Sequence, residues 1–342
     1  MLEELVKEWI KYFFISFLFS ATFAPIMIRL MYKWGQVSIL KETKQGLSSD
    51  NNSLFMRIME RNRTNGTPNM GGILILFIVP LVSFIFLNIS SGIKILLYGF
   101  ILFGFWGLID VVFTNLIRGN EKLKSFQETF VWRLGKLSIA ICLNILITYL
   151  LYQSGVLRNI VLWQGVLIVF TPMLIPIIAF VSQLGIYASE LTDGEDALMI
   201  GVMGIIYTAF SILLVIQGNY EYISFIAVIL GATVVDLYFN IPPARFWNGG
   251  PGAMPLGFAV FYIALVTNNV LPYFFITSIT WIILLSSIIQ ILSMRIFKRR
   301  VFKIAPIHHH FKALGWPSYK IVMRFWLFTL LASVVGIFIG VI

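Results

Sequence analysis

Long apolar blocks separated by short polar connections dominate this chain. Each block is close to the roughly 20 residues that an α-helix needs to cross a bilayer, and the blocks recur along the whole sequence. The pattern predicts an all-α integral membrane protein in which residues 1–342 form one polytopic domain with about ten transmembrane helices. The predicted spans are 10–32, 71–90, 95–112, 135–152, 160–180, 197–216, 222–239, 254–270, 273–294 and 322–342.

Composition excludes a soluble protein. Hydrophobic residues make up 59% of the chain and charged residues 12%, whereas soluble domains have about half and a quarter. The first apolar block is too long for a cleaved signal peptide and has no small-residue cleavage site, so we expect it to be retained. The single cysteine, Cys142, excludes a disulfide framework and a cysteine metal site.

The cations are distributed unevenly over the two sides of the predicted bundle. When the connections are numbered alternately, one side holds 21 of the 25 Lys and Arg residues. The positive-inside rule makes this side cytoplasmic and places both termini outside. The net charge of +10 is therefore explained by topology, so an anionic bilayer is the expected partner and nucleic acid is not. The predicted cytoplasmic loops are 33–70, 113–134, 181–196, 240–253 and 295–321.

One basic segment has two interpretations. Residues 295–304 read RIFKRRVFKI, in which cations alternate with bulky apolar side chains. This pattern favours a helix lying on anionic headgroups at the membrane surface. The alternative is an ordinary basic anchor after a span.

Carboxylates at membrane depth are costly and usually functional. Asp110 ends the third predicted span, Asp193 and Asp196 open the sixth, and Asp236 lies late in the seventh. These positions predict an active-site cleft that opens to the cytoplasm. Helix capping is a competing explanation for Asp193 and Asp196, because an acid in a first helical turn stabilises it.

The polar loops on the same side suit a ligand that carries phosphate. Loops rich in glycine offer backbone N–H groups beside carboxylates, a combination that can hold phosphates through Mg²⁺. All three histidines, His308, His309 and His310, are consecutive. A zinc site is a weaker hypothesis, since three consecutive side chains point in different directions and cannot readily bind one ion. A histidine run on the surface without a function is a further alternative. The loops read GTPNMGG at 66–72, SELTDGEDALMIG at 189–201, NIPPARFWNGGPGAMPLG at 240–257 and APIHHHFKALGW at 305–316.

These motifs together resemble those of the polyprenyl-phosphate phosphosugar transferases. The histidine run followed by GWP favours the branch that transfers phospho-N-acetylmuramoyl-pentapeptide. The matching motifs are TPNMGG at 67–72, LTDGEDALMIG at 191–201, FNIPPA at 239–244, APIHHHF at 305–311, GWP at 315–317 and RFW at 324–326.

The resemblance implies a reaction at the inner leaflet of the bacterial cytoplasmic membrane, by a multi-pass protein. Undecaprenyl phosphate would attack the β-phosphate of UDP-MurNAc-pentapeptide with Mg²⁺ assistance, releasing UMP and forming lipid I. This step belongs to peptidoglycan synthesis and so to cell wall biogenesis, cell division and cell shape. A homodimer is the assembly that we expect.

The resemblance also implies roles for individual residues. Trp247 lies where the family has an aromatic side chain that stacks on uracil, although an interfacial tryptophan is the alternative reading. The expected substrate-binding residues are Asp193, Gly194, Asp196, Asn240 and Trp247; the expected catalytic residues are Asp110, His308, His309 and His310; and the expected metal ligands are Asp110, Asp193 and Asp236.

The chain departs from the family pattern where the metal is expected. Val111 replaces the second of two adjacent aspartates, and Gly250 replaces the aspartate of a Gly-Asp loop. Thr114 replaces a lysine, Glu190 an asparagine, and Lys312 the acid after the histidine run.

Three hypotheses follow from these departures. A working enzyme needs Asp110 with Asp193, or with Asp236, to hold Mg²⁺ beside the substrate phosphates, since this ion often takes only one or two carboxylates from the protein. In that case Val111→Asp and Gly250→Asp together should raise turnover. A second hypothesis is an inactive member that binds lipid phosphate or nucleotide as a partner in cell-wall assembly. A transporter is the third, but the paired broken helices of transporter repeats are not visible.

Overall fold

The computed structural model describes residues 2–33, 67–117, 130–163 and 166–342, and these are overwhelmingly helical. The helices are α1 (Leu2–Lys33), α2 (Ile73–Phe86), α3 (Ser91–Ile117), α4 (Phe130–Gln153), α5 (Ile175–Thr192), α6 (Leu198–Ile216), α7 (Ile223–Asn240), α8 (Gly250–Val266), α9 (Val270–Ile276), α10 (Ser278–Ile296), α11 (Ile307–Ala313) and α12 (Ser318–Val341). The strands are β1 (Asn159–Trp163) and β2 (Val166–Val169).

The helices confirm the all-α, multi-pass membrane class. Among the described residues, eight helices are long and apolar enough to cross a membrane, and α2 and α8 are shorter apolar helices of 14 and 17 residues. Large apolar side chains on the outer helices face outward, as Leu18, Phe180 and Phe338 do, which suits a lipid environment. The count of ten spans and the outside location of both termini stay predictions.

The predicted helical span 160–180 is wrong in its first half. β1 and β2 form an antiparallel hairpin there, and a short 3-10 turn at Pro172–Leu174 precedes α5. The hairpin segments, NIVLW and VLIV, are rich in the β-branched and aromatic residues that favour strands. Asn268 also accepts a hydrogen bond from the backbone of Val161 at 3.0 Å. Hydropathy alone cannot distinguish such a strand from a helix.

The predicted span 273–294 is divided into two helices. α9 ends at Ile276 and α10 begins at Ser278, with Thr277 between them. The Thr277 hydroxyl donates a hydrogen bond to the carbonyl of Tyr273 at 2.6 Å, which satisfies a backbone acceptor near the end of α9.

The surface helix predicted for residues 295–304 is also wrong. α10 ends at Ile296, and the residues up to Pro306 form bends without a helix. The side chain of Gln290 accepts hydrogen bonds from the backbone N–H groups of Val301 and Phe302, and Ser293 donates to the carbonyl of Arg299. These side chains replace helical hydrogen bonds, so the alternative of a basic anchor is the better description.

The centre of the bundle consists of α6, α7 and α8, whose side chains are mostly buried. A buried polar network joins the central helix α8 to α4 and α5. Asn144 donates to Gln183 at 2.9 Å and accepts from Ser182 at 2.7 Å, and Thr148 shares a hydrogen bond with Tyr262. Interhelical hydrogen bonds of this kind stabilise helix packing where no water competes.

Candidate active site

Parts of the loops predicted to be cytoplasmic lie together at one end of the bundle, namely residues 67–72, 193–197, 240–249 and 305–312. Most of the predicted loops 33–70 and 113–134 lies outside the described residues. The chain segment before α2 runs beside the segment before α8, and backbone hydrogen bonds join them. Trp247 donates to the carbonyl of Pro68 at 2.8 Å and accepts from Gly71 at 2.8 Å, while Gly72 donates to the carbonyl of Asn248 at 3.1 Å. This pairing fixes Trp247 at the edge of the loop between α7 and α8.

The loop between α5 and α6 carries both predicted nucleotide-side aspartates. Asp193 accepts a hydrogen bond from the backbone N–H of Gly249 at 2.7 Å, and Asp196 accepts one from the indole N–H of Trp247 at 2.9 Å. Neither acid caps α6, whose preceding residue, Ala197, has no side-chain cap. The capping hypothesis is therefore wrong, since both carboxylates connect two loops.

Asn240 stabilises the same junction from the end of α7. Its side-chain oxygen accepts from the backbone N–H of Ala197 at 2.8 Å, and its amide donates to the carbonyl of Phe246 at 2.7 Å. Ala197 has a φ of +64°, a conformation that a non-glycine residue adopts only when its surroundings hold it there. Asn240 is thus a structural support of the loop as well as a predicted substrate-binding residue.

The environment of Asp196 affects its protonation. Burial raises the pKa of Asp196 above its ordinary value, and the hydrogen bonds from Trp247 and from the backbone of Ala244 oppose this shift. A carboxyl group in this position binds protons more readily than an exposed one.

The histidine run forms the short helix α11, and its three side chains lie in different surroundings. His308 is fully buried and packs against Gly194, where a Cβ atom would lie 2.2 Å from Nε2 of the imidazole. His309 is also buried, whereas His310 accepts a hydrogen bond from the backbone of Lys303 at 3.1 Å. Only His308 and His309 therefore face the loop between α5 and α6.

His308 is held in its neutral form. Burial lowers the pKa of His308 well below its ordinary value, and the neighbouring His309 adds to the shift. At neutral pH this side chain is therefore a hydrogen-bonding group without charge.

Sequence reasoning missed Glu195, which forms a buried ion pair with Lys312. The Lys312 ammonium lies 2.7 and 2.9 Å from the two carboxylate oxygens, and Nδ1 of His309 lies 3.6 Å from one of them. Burial acts to raise the pKa of Glu195, but hydrogen bonds from His309 and Lys312 and the charge of Lys312 outweigh it and lower the pKa to about 2. The sequence did contain a signal for this pair, because the loop motif at 189–201 carries Glu195 and the loop motif at 305–316 carries the oppositely charged Lys312.

Asp110 lies about two turns before the end of α3 and forms an ion pair with Lys136 of α4. Val111, where the family resemblance implies an acid, packs against the buried cluster of Met31, Met70 and Phe246. The side chains near this end of α3 are thus engaged with an ammonium group on one side and apolar groups on the other.

Gly250, the second position at which the chain departs from the implied family pattern, lies at a close contact between α3 and α8. A Cβ atom on Gly250 would lie 2.9 Å from the Cα atom of Gly107 and 3.0 Å from its carbonyl oxygen. Because the obstacle is backbone, α3 and α8 leave no room for a side chain at this position. We therefore expect Gly250→Asp to disturb the packing of α3 against α8, in contrast to the sequence-based expectation that it supplies a metal ligand and raises turnover.

The predicted metal ligands Asp110, Asp193 and Asp236 have different partners. No three His, Cys, Asp or Glu side chains gather into a metal site within the parts of the chain that the structure describes. Asp110 is engaged by Lys136. Asp236 is fully buried beside Asn248, and no hydrogen bond of ordinary geometry satisfies either side chain among the described residues. The charge of Asp193 acts on Asp236.

Mg²⁺ therefore fits Asp193 and Asp236 better than it fits Asp110. Unsatisfied carboxylate and amide oxygens of the kind that Asp236 and Asn248 provide are suitable ligands for this ion. The assignment of a metal to these residues stays a prediction.

Comparison with known proteins places the chain in a family. Residues 93–268 match the family model described as Glycosyl transferase family 4. The chain is 32% identical over 335 residues to the phospho-N-acetylmuramoyl-pentapeptide-transferase of Bacillus pumilus, covering 96% of the chain and 95% of that protein. It is 30% identical to the protein of the same name from Bacillus subtilis, covering 100% and 99%, and 32% identical to that from Staphylococcus aureus, covering 82% and 87%. These matches confirm the predicted family resemblance.

Proposed function

Since this chain belongs to glycosyl transferase family 4 and is related over nearly its full length to phospho-N-acetylmuramoyl-pentapeptide-transferases, we propose that it catalyses their reaction. Phospho-MurNAc-pentapeptide passes from its UDP-linked form to undecaprenyl phosphate, which yields lipid I and UMP for peptidoglycan synthesis. The reaction takes place at the inner face of the bacterial cytoplasmic membrane. The observation that carries the proposal is the junction of Asp193, Asp196 and Trp247.

In the proposed reaction, a phosphate oxygen of the acceptor lipid attacks the β-phosphorus of the nucleotide sugar. A new phosphorus–oxygen bond forms, the bond to the bridging oxygen breaks, and its electron pair leaves on UMP. An ionised acceptor phosphate needs no general base, so the protein's task is to position two anions and stabilise developing charge. Bound Mg²⁺, held through Asp193 and Asp236, would supply that stabilisation.

The chain's own groups have distinct roles in this proposal. The Trp247 indole, fixed by its hydrogen bond to Asp196, presents a ring face on which uracil stacks. Neutral His308 and its neighbour His309 offer ring nitrogens to the phosphates. The buried pair of Glu195 and Lys312 holds α11, and with it both histidines, against the loop between α5 and α6.

The first prediction tests the reaction itself. Purified protein in lipid vesicles should release UMP from UDP-MurNAc-pentapeptide only when undecaprenyl phosphate and Mg²⁺ are both supplied. The measurement is UMP formation, compared with reactions that lack the nucleotide sugar, undecaprenyl phosphate or Mg²⁺. Asp193→Asn should lower the rate at least tenfold, because it removes a charge from the site without changing the size of the side chain.

The replacements at Val111 and Gly250 favour one alternative, an inactive member that binds nucleotide or lipid phosphate as a cell-wall assembly partner. Nucleotide binding without UMP release in the same vesicles would support this alternative and contradict the proposed catalysis.

The second prediction concerns the base. Trp247→Ala should weaken binding of UDP-MurNAc-pentapeptide by about 1–3 kcal/mol, the range for a base stacked on an aromatic ring. Trp247→Phe, which keeps a stacking face but loses the hydrogen bond to Asp196, should retain most of the affinity. Calorimetry on the three proteins measures this order. Equal affinity for wild type and Trp247→Ala would remove Trp247 from the nucleotide site.

A further inference from the structure

A pocket of about 470 Å³ lies between α1 and the end of α7, outside the candidate active site. Its lining combines two cations, Arg29 and Arg245, with apolar and aromatic side chains. None of the predicted catalytic, substrate-binding or metal-ligating residues belongs to it. The remaining lining residues are Pro25, Ile28, Tyr238, Phe239, Ile241 and Pro243.

The two arginines are available to bind an anion. Both are exposed, and no carboxylate pairs with either guanidinium anywhere in residues 2–33, 67–117, 130–163 and 166–342. Arg29 lies one turn before the end of α1, and Arg245 lies in the loop after α7. Two guanidinium groups lining one pocket suit a phosphate, which each can bind through two parallel hydrogen bonds.

The apolar part of the pocket opens toward lipid. Tyr238 is 73% exposed and Ile241 is 49% exposed, although both lie at the end of a helix that is otherwise buried in the bundle. Both helix ends that form the pocket are on the predicted cytoplasmic side. A ligand with an anionic head and an apolar tail therefore matches the pocket at its polar and apolar ends.

We propose that this pocket binds the phosphate headgroup of an anionic membrane phospholipid between Arg29 and Arg245. The bound lipid is an accessory lipid and not the acceptor of the transfer reaction. The ring of Phe239, which lines the pocket, lies 6.3 Å from the ring of Phe246, in the loop that carries Trp247. Because Arg245 donates its backbone N–H to the carbonyl of Phe239 at 2.8 Å, a lipid held by Arg245 also stabilises this loop.

The test measures which phospholipid stays with the protein. Wild-type protein in nanodiscs with equal amounts of phosphatidylglycerol and phosphatidylcholine should retain phosphatidylglycerol preferentially, as counted by native mass spectrometry. The double variant Arg29→Gln/Arg245→Gln should lower that preference by roughly 25-fold, since each arginine beside an anionic headgroup contributes about fivefold. Arg299→Gln/Arg300→Gln removes the same charge from the same predicted face outside the pocket, and should leave the preference unchanged.

A second variant separates the pocket from general surface charge. Ile241→Trp fills the pocket without changing the net charge, and should also abolish the preference. Unchanged retention in either pocket variant, or an equal loss in the control pair, would overturn the proposal. Displacement of phosphatidylglycerol by millimolar inorganic phosphate would identify a free-anion site, and displacement by trace undecaprenyl phosphate an acceptor site. Either would overturn the accessory-lipid assignment, and none of these outcomes depends on turnover.

Discussion

Gly250→Asp is expected to lower the free energy of unfolding by about 3 kcal/mol and to reduce activity. The added Cβ atom meets the backbone of Gly107 at 2.9 Å, so α3 and α8 must separate before the side chain fits. The carboxylate then also loses solvent in a contact built for two glycines. Thermal unfolding in one detergent, compared with that of the wild type, measures the effect.

Gly135 supplies the matched control for this substitution. It lies in α4, is exposed, and a Cβ atom there would have nothing within 4 Å. Gly135→Asp should therefore leave the unfolding temperature nearly unchanged. If Gly250→Asp kept the wild-type unfolding temperature and raised turnover, the contact between α3 and α8 would be adaptable, and an aspartate at this position would act as the family resemblance implies.

Breaking the buried pair of Glu195 and Lys312 is expected to have an effect of similar size. Glu195→Gln or Lys312→Met should each cost about 3 kcal/mol of stability, because the first leaves a buried charge unpaired and the second leaves the carboxylate without its main partner. Turnover should fall at least tenfold in both, since α11 carries His308 and His309. The exchange Glu195→Lys/Lys312→Glu should recover much of both losses.

The exposed pair of Glu3 and Lys7 is the control, since both side chains are more than 70% exposed and lie far from the site. Glu3→Gln should change neither quantity, as is usual for surface ion pairs. If the single variants at 195 and 312 also changed neither quantity, Glu195 would not position α11.

The pH dependence of this pair has a defined sign. The pKa of Glu195 is lowered from 4.5 to about 2 in the folded protein, so folding favours the ionised form. The resulting stabilisation is fully present above pH 4.5 and is lost as the pH falls toward 2. Neutral conditions should therefore leave the carboxylate of Glu195 ionised and the pair intact.

Two predicted spans differ from the structure in ways that the sequence could not predict. Residues 160–180 and 273–294 are apolar enough to be read as single helices, yet one contains a hairpin and the other is divided at Thr277. In both cases a side chain bonded to the backbone accompanies the departure from a continuous helix: Asn268 accepts from the N–H of Val161, and the Thr277 hydroxyl donates to the carbonyl of Tyr273. Hydropathy records how apolar a segment is, but it carries no information on such partners.

The candidate active site also has features that the sequence determined and features that only the tertiary structure decided. The sequence by itself determined the membrane class, the family and the loops that carry the chemistry, because apolar block length and local motifs are properties of contiguous residues. The tertiary structure decided that Asp193 and Asp196 connect loops instead of capping α6, that Glu195 pairs with Lys312, and that Gly250 faces Gly107. Each of these is a contact between residues far apart in the chain, and its geometry exists only once the helices are packed.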